Sequence, residues 1–233
     1  MLDQNSMSEH LAFQLIPVLK DIAHFKDATT KQYLSCNKHT LASFGVQDER
    51  KVIGHTVQDI DSVMLPHWGD GYASGVDHLD DLVKVRKETV NRNEVTVTSD
   101  GQIRLQNLIK IPVIGFNKTV LGIFTFTQNL THTLDRDELY KLYKNRYNKD
   151  LAIVHFIRHL GLSKFFTIMP TNAELRVLLA SIIQDNYKSI ANYLQCSTKT
   201  VDMHLSNLRS KIVNGDMSQI LVHARSSNSP LVS

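Results

Sequence analysis

Apolar residues recur along this chain with two different periods, and the change from one to the other divides it. In the last third the spacing is helical. Across 170–184, Leu175, Leu178, Leu179, Ile182 and Ile183 share one stripe, and Thr171 with Glu174 three residues on forms a capping box that opens the helix. Ile190, Ala191 and Leu194 then make one short stripe, and Val201, Leu205, Leu208 and Ile212 a second. Facing apolar stripes let two short helices hold a fixed crossing angle, and the small Ala191 permits close approach. Ser197 stands where an N-cap is needed, so the second helix starts near Thr198. Met217, Ile220, Leu221 and Ala224 repeat the pattern and complete a four-helix unit.

Upstream the pattern differs. Residues 8–19 form an amphipathic stretch with Leu11, Leu15, Val18 and Leu19 on one side. Two short strands follow, around 21–27 and 32–37, then short helices ending at Gly45 and near Gly54, each glycine placed as a C-cap. A longer helix is predicted over 78–92. Strands at 94–99, 102–113 and 119–128 come next, joined by an Asp100-Gly101 hairpin turn and a turn at 115–118. Strict alternation along 102–113 puts Ile103, Leu105, Asn107, Ile109 and Ile111 on one face. An Asn among apolar neighbours needs a partner if buried, which makes Asn107 a candidate ligand contact. Trp68, the only tryptophan, lies in a His-Trp-Gly-Asp-Gly-Tyr segment read as a loop and is a candidate lid over the same cavity.

Between these halves, 135–160 reads as one helix. Leu139, Tyr143, Tyr147, Leu151 and Val154 form one stripe, and Ile153, Phe156, Ile157 and Leu160 another. A connector helix with apolar stripes has to bury them, either against a twin helix from a second subunit, the economical solution, or against the chain's own domains. His155 and His159 have chelate spacing but lack a third ligand nearby, so a metal is not expected.

Charge adds direction to this plan. The formal net charge is only +3, but residues 1–130 hold 13 basic and 15 acidic residues, 131–159 hold 6 and 4, and 160–233 hold 7 and 4. The positive excess therefore coincides with the four-helix unit. On the outer face of its helix from Thr198, Lys199, Asp202, Met203, Ser206 and Arg209 fall at helical spacing. Cations for phosphate or guanine, a carboxylate for cytosine N4 and an apolar tip for a thymine methyl suit a DNA major groove. Cys36 and Cys196 suggest no disulfide framework, and Cys196 is expected to be a small buried residue. With no secretory signal pattern and no apolar run of membrane-spanning length, a cytoplasmic protein is expected. There is no phosphate loop, Gly-x-Ser-x-Gly elbow or histidine metal triad, so no enzyme activity is expected.

The C-terminal segment resembles the LuxR-type (GerE-like) helix-turn-helix domain. The match rests on Thr171, Glu174, Ile190, Ala191, Leu194, Ser197, Thr200, Val201, His204, Lys211 and Ile212. Members of that family often carry Lys directly after the Thr-Val pair and again four residues on, where this chain has Asp202 and Ser206. A different operator or weaker binding follows from that departure. The N-terminal part resembles a PAS domain through Phe-Lys-Asp at 25–27, Tyr-Leu-x-Cys-Asn at 33–37, Gly45, Ile-Gly-x-Thr at 53–56 with Asp59, Lys-x-Pro at 110–112, Gly-Ile at 122–123 and Thr125. The resemblance implies a five-stranded antiparallel sheet with helices over one face, used as a sensor. Its cargo is not readable: the helix at 78–92 lacks the reactive Cys of flavin photochemistry, and His78 reads as a solvated helix-end residue.

The expected architecture is α+β, with an N-terminal amphipathic helix (1–19), a PAS-like sensor (20–130), a helical connector (131–165), an all-α LuxR-type helix-turn-helix domain (166–226) and a flexible tail (227–233). The resemblance implies a transcriptional regulator that binds double-stranded DNA as a homodimer, controlled by a small molecule or partner in the sensor. Thr198, Lys199, Asp202, Met203 and Ser206 are expected at base edges, with Lys188, Ser189, Thr200, Arg209 and Lys211 mainly on phosphates. A two-component response regulator and an acyl-homoserine-lactone receptor would share this DNA-binding unit. The meander pattern of residues 1–130 argues against the first, and the absence of the second's aromatic and Asp pocket pattern argues against that. A third rival is a PAS-type interaction module that has lost DNA affinity.

Overall fold

The computed structural model describes residues 13–226, apart from the side chains of Leu65 and Pro66. Residues 1–12 of the expected N-terminal helix and the whole of the 227–233 tail therefore lie outside the described residues. The chain divides into two compact units, residues 1–131 and 132–233.

The first unit is built on β1 (Ala23–Asp27), β2 (Tyr33–Cys36), β3 (Val90–Val97), β4 (Ile103–Ile114) and β5 (Val120–Asn129). They form one antiparallel sheet in the order β2-β1-β5-β4-β3. Three helices interrupt the strand sequence: α1 (Lys38–Ser43), α2 (Val57–Trp68) and α3 (Tyr72–Arg86). Asn37 caps α1 by accepting from the Thr40 amide, and its amide group also holds the Leu19 and Asp21 carbonyls. One side chain thus ties the start of the domain to its first helix. Gly45 has φ +68 and a Cβ there would meet the Ser99 side chain at 2.6 Å, so glycine is needed on both counts.

Two elements depart from the sequence reading. The long helix runs over Tyr72–Arg86 rather than 78–92, and Val90 and Asn91 belong to β3. Lys87, at φ 55, closes the helix and its amide donates to the Val83 carbonyl. Helix α2 covers the segment whose apolar content is too sparse to announce it: Val57, Ile60, Met64 and Trp68 are buried at i, i+3, i+7 and i+11. Trp68 is therefore the last residue of a helix, packed on Phe44 and Tyr72 at ring distances of 5.7 and 4.7 Å.

The second unit begins with a helical hairpin, not one rod. Helix α4 (Arg136–Arg146) ends at Tyr147, whose extended backbone breaks the run, and Asn148 caps α5 (Lys149–His159) by accepting from the Leu151 amide. Much of the two apolar stripes folds on itself across the hairpin, while Leu151 stays exposed. Leu139, Tyr140, Tyr143, Ile153, Phe156 and Ile157 are buried, and the Phe156 ring lies 4.9 Å from Tyr140 and 5.8 Å from Tyr143. His159 meets the Tyr143 hydroxyl at 2.9 Å and His155 stacks on Tyr147, so both histidines serve the hairpin.

Four helices complete the unit: α6 (Asn172–Ile183), α7 (Tyr187–Leu194), α8 (Thr198–Lys211) and α9 (Met217–Ser226). The Thr171–Glu174 capping box is formed, and Asn186 and Ser197 cap α7 and α8. Leu175, Leu178, Leu179, Ile182, Ile190, Ala191, Val201, Leu205, Leu208, Ile212, Ile220 and Ala224 make the core. Cys196, expected inside, is half-buried, because the turn that precedes α8 lifts it to the edge. Three hydrogen bonds fasten α4 to this core: Arg136 to the Ala224 carbonyl (2.7 Å), Tyr140 to Asn172 (2.9 Å) and Tyr193 to Asp137 (2.9 Å).

Candidate nucleic-acid interface and ligand cavity

The turn between α7 and α8 sets the geometry of the C-terminal site. Gln195 takes the left-handed conformation, φ 54, and the Cys196 amide donates to the Ala191 carbonyl, which stops α7 within one residue. The Ser197 hydroxyl then accepts from the Thr200 amide at 3.0 Å and starts α8. Val201, Leu205 and Leu208 turn inward, so the opposite face must turn out. Thr198, Lys199, Asp202, Met203, Ser206 and Arg209 are all exposed, with Met203 at 51%. Lys188 is exposed and Ser189 half-buried at the start of α7, where the Ser189 amide donates to its Asn186 cap.

Not every expected contact is equally available. Thr200 is bound through its hydroxyl to Ser197 at 2.8 Å. Arg209 donates to the Tyr187 hydroxyl at 3.2 Å, which orients it along the α7 side. Lys211 is committed to the fold: its Nζ lies 2.6 Å from the Glu174 carboxylate, which is only 4% exposed. Burial pushes the Glu174 carboxyl up, but the bonds from Lys211 and Thr171 outweigh it and hold its pKa below the ordinary value. The capping-box residue thus also anchors the end of α8.

The second candidate site is a cavity of about 60 Å³ between the sheet and α1–α3. Alternation decides what lines it. In β1, Ala23 and Phe25 face the side covered by Ile16 and Phe13, while His24 and Lys26 face the helices. In β5, Phe124 and Phe126 take the first side and Thr125 and Thr127 the second; in β4, Ile111 the first and Gln106, Leu108 and Lys110 the second. The face beneath the helices is therefore polar although buried. That is the reverse of an ordinary core, and it makes the cavity a candidate site.

Most of these groups are satisfied. Asp80 on α3 accepts from Lys26 at 2.9 Å and from Lys110 at 2.5 Å, all three side chains being 1–2% exposed. Burial pushes the Asp80 carboxyl up, but the two ammonium groups overcome this and hold its pKa below the usual range. Burial also lowers Lys110, against the pull of Asp80. Gln106 donates to Glu94 at 3.0 Å. His24 is the exception. Both ring nitrogens and the Thr125 hydroxyl are buried without a hydrogen-bond partner. Burial, reinforced by Lys26 and Lys110, holds His24 well below the ordinary imidazole value, so the ring is neutral and offers one donor and one acceptor.

Trp68 lines this cavity together with Tyr33, Phe44 and Tyr72. Asn107 does not: it sits on the other face of β4, paired across to Asn93 and Gln128, with its buried carbonyl oxygen unbonded. The sequence reading took the more apolar face of β4 for the cavity side. The signal for the other lay in the matching polar alternation of His24/Lys26, Gln106/Lys110 and Thr125/Thr127 across three strands. Among the described residues no group of His, Cys, Asp or Glu has metal-site geometry.

Comparison with known proteins agrees with this division. Residues 171–224 match the family model of bacterial regulatory proteins, luxR family. None of the curated proteins matches the chain. The crystal structure of the phage VqmA–DPO complex is similar in fold, with a TM-score of 0.51 at 19% identity over 98% of this chain and 94% of that one. A Vibrio cholerae VqmA–ligand–DNA complex aligns over 94% of this chain and 87% of that one, at 21% identity and a TM-score of 0.45. The PAS domain of Bordetella pertussis BvgS covers 60% of this chain and 96% of its own length, at 20% identity and a TM-score of 0.46. Residues 171–224 thus match the luxR family of bacterial regulatory proteins, and the chain shares its fold with the phage VqmA–DPO complex.

Proposed function

We propose that the chain is a transcriptional regulator that binds double-stranded DNA through α8 as a homodimer and is controlled by a small molecule held in the PAS-like domain. The observation that carries this is the outward face of α8, which is exposed along its length on a domain matching a regulatory family. Thr198, Lys199, Asp202, Met203 and Ser206 would meet base edges, and Lys188, Ser189, Thr200 and Arg209 phosphates. Lys211, tied to Glu174, would act on DNA only by holding α8 in place. For the ligand, neutral His24 and Thr125 supply unpaired hydrogen-bonding groups beside an aromatic wall. Among the described residues no helix is long and apolar enough to cross a membrane.

The test is a gel-shift series with Lys199→Ala over base substitutions in a selected operator. A loss of about 1–3 kcal/mol confined to one base position identifies a guanine contact, and a uniform loss a phosphate contact. No change on any DNA removes Lys199 from the interface. Native mass spectrometry of protein purified from its own host tests the sensor half, since a retained small molecule has to disappear when His24→Leu removes both ring nitrogens.

A further inference from the structure

On the reading that α8 binds DNA, we propose that Asp202 sets operator specificity by exclusion: its carboxylate accepts from cytosine N4 at one position of each half-site and disfavours every other base and register. Asp202 is exposed and forms no hydrogen bond or ion pair among the described residues. Helical spacing places it on one stripe with Lys199, Ser206 and Arg209, on the flank of the face opposite Val201, Leu205 and Leu208. Lys199 stands three residues before it, yet the two do not pair among the described residues. Of the nearby cations, Lys211 is directed to Glu174 and Arg209 toward Tyr187, and Lys199 is left to face the duplex on its own account. The carboxylate therefore reaches the duplex with no ion-pair partner bonded to it.

A charge of that sign in a groove walled by phosphates is repelled unless it finds a donor. In the major groove cytosine N4 is the donor suited to a carboxylate. Guanine shows acceptors only, and thymine an acceptor and a methyl group; adenine pairs its donor with an acceptor and so suits an amide side chain better. Asp202 then contributes in two ways. It rewards one base, and it weakens binding wherever that base is missing, which widens the ratio of specific to random affinity.

The experiment is selection of duplexes from a randomised pool by the full chain and by Asp202→Ala and Asp202→Asn, followed by titration of the selected duplex, its single-base variants and random DNA. The wild type is expected to require cytosine at one position per half-site. Asp202→Ala should reduce that preference by about 5- to 150-fold, the reach of one good base contact, and leave the other positions alone. Its affinity for random duplex should rise severalfold. Asp202→Asn should turn the preference at the same position toward adenine. An unchanged base preference in Asp202→Ala, even with tighter binding to all DNA, overturns the proposal while leaving DNA binding intact. Failure of the wild type to enrich any sequence overturns the DNA-binding reading itself. The side chain is solvent-exposed, so unaltered circular dichroism is expected in both variants.

Discussion

Removing the Asp80 charge should cost the PAS-like domain a large share of its stability, whereas removing the whole charged triad should not. Lys26, Asp80 and Lys110 are 1–2% exposed and bonded at 2.9 and 2.5 Å. In Asp80→Asn two buried ammonium groups lose their counter-charge. Breaking a buried pair in this way costs about 3–5 kcal/mol, a large share of the 5–15 kcal/mol that typically holds a domain together. In the triple variant Lys26→Met/Asp80→Leu/Lys110→Met no charge is left to desolvate, and the domain should unfold within about 1 kcal/mol of the wild type or above it. The assay is urea unfolding followed by the fluorescence of Trp68, the only tryptophan, which is buried beside α1 and α3 and so reports this unit. With a urea dependence of about 2 kcal/mol per molar, the Asp80→Asn midpoint should fall by about 1.5–2.5 M. The pH dependence has a definite sign. Because the folded Asp80 pKa is below that of the unfolded chain, its contribution is complete above the unfolded value near about 4 and is lost as pH falls through the folded one. Asp80→Asn should lack this part of the acid transition. A midpoint within about 0.5 M of wild type refutes the reasoning, as does a triple variant less stable than Asp80→Asn.

Two further substitutions test the packing that holds each site. Lys211→Met leaves the nearly buried Glu174 carboxylate without its ammonium partner and should cost the helix-turn-helix domain about 1–3 kcal/mol by helical circular dichroism. The depressed Glu174 pKa means that this stability is present above the ordinary glutamate value and lost as pH falls through the folded one, so the variant's deficit should be largest near neutral pH and shrink in acid. Gly122→Ala places a methyl group against the Phe25 ring and 2.8 Å from the Lys26 carbonyl. The β1–β5 pairing would have to spread, at about 1–3 kcal/mol in the Trp68 urea assay; a neutral result would show that Phe25 can move aside.

Strong local signals were legible and weak ones were not. One capping box, the Ser197 N-cap and the i, i+3, i+4 stripes placed α6 to α9 nearly to the residue, because there the apolar face and the cap chemistry agree. Helix α2 escaped because its four buried residues are spread over twelve positions with polar residues and Pro66 between them. The connector misled for a different reason. Its stripe continues through Tyr147, and only Asn148 ahead of Lys-Asp marks a new N-cap, a signal easily overridden by a regular period. The outward set on α8 stood out as polar residues on an amphipathic helix. The cavity did not, since a buried polar sheet face looks in sequence like a solvated one, and only the covering helices reveal that His24, Gln106 and Thr125 are inside.

The break at Tyr147 also decides how force is delivered. A single long rod would act as a shaft, passing torque along its axis to whatever it touched at the far end. Two short arms locked by Tyr140, Tyr143 and Phe156 act as a bracket instead. Its first arm is bolted to three different members of the helix-turn-helix bundle, through Arg136 to α9, Tyr140 to α6 and Asp137 to α7. Close-packed interiors transmit such a load with little compression. A displacement of α4 would therefore be shared among the three contacts and would move the bundle as a block before it changed the angle between α7 and α8.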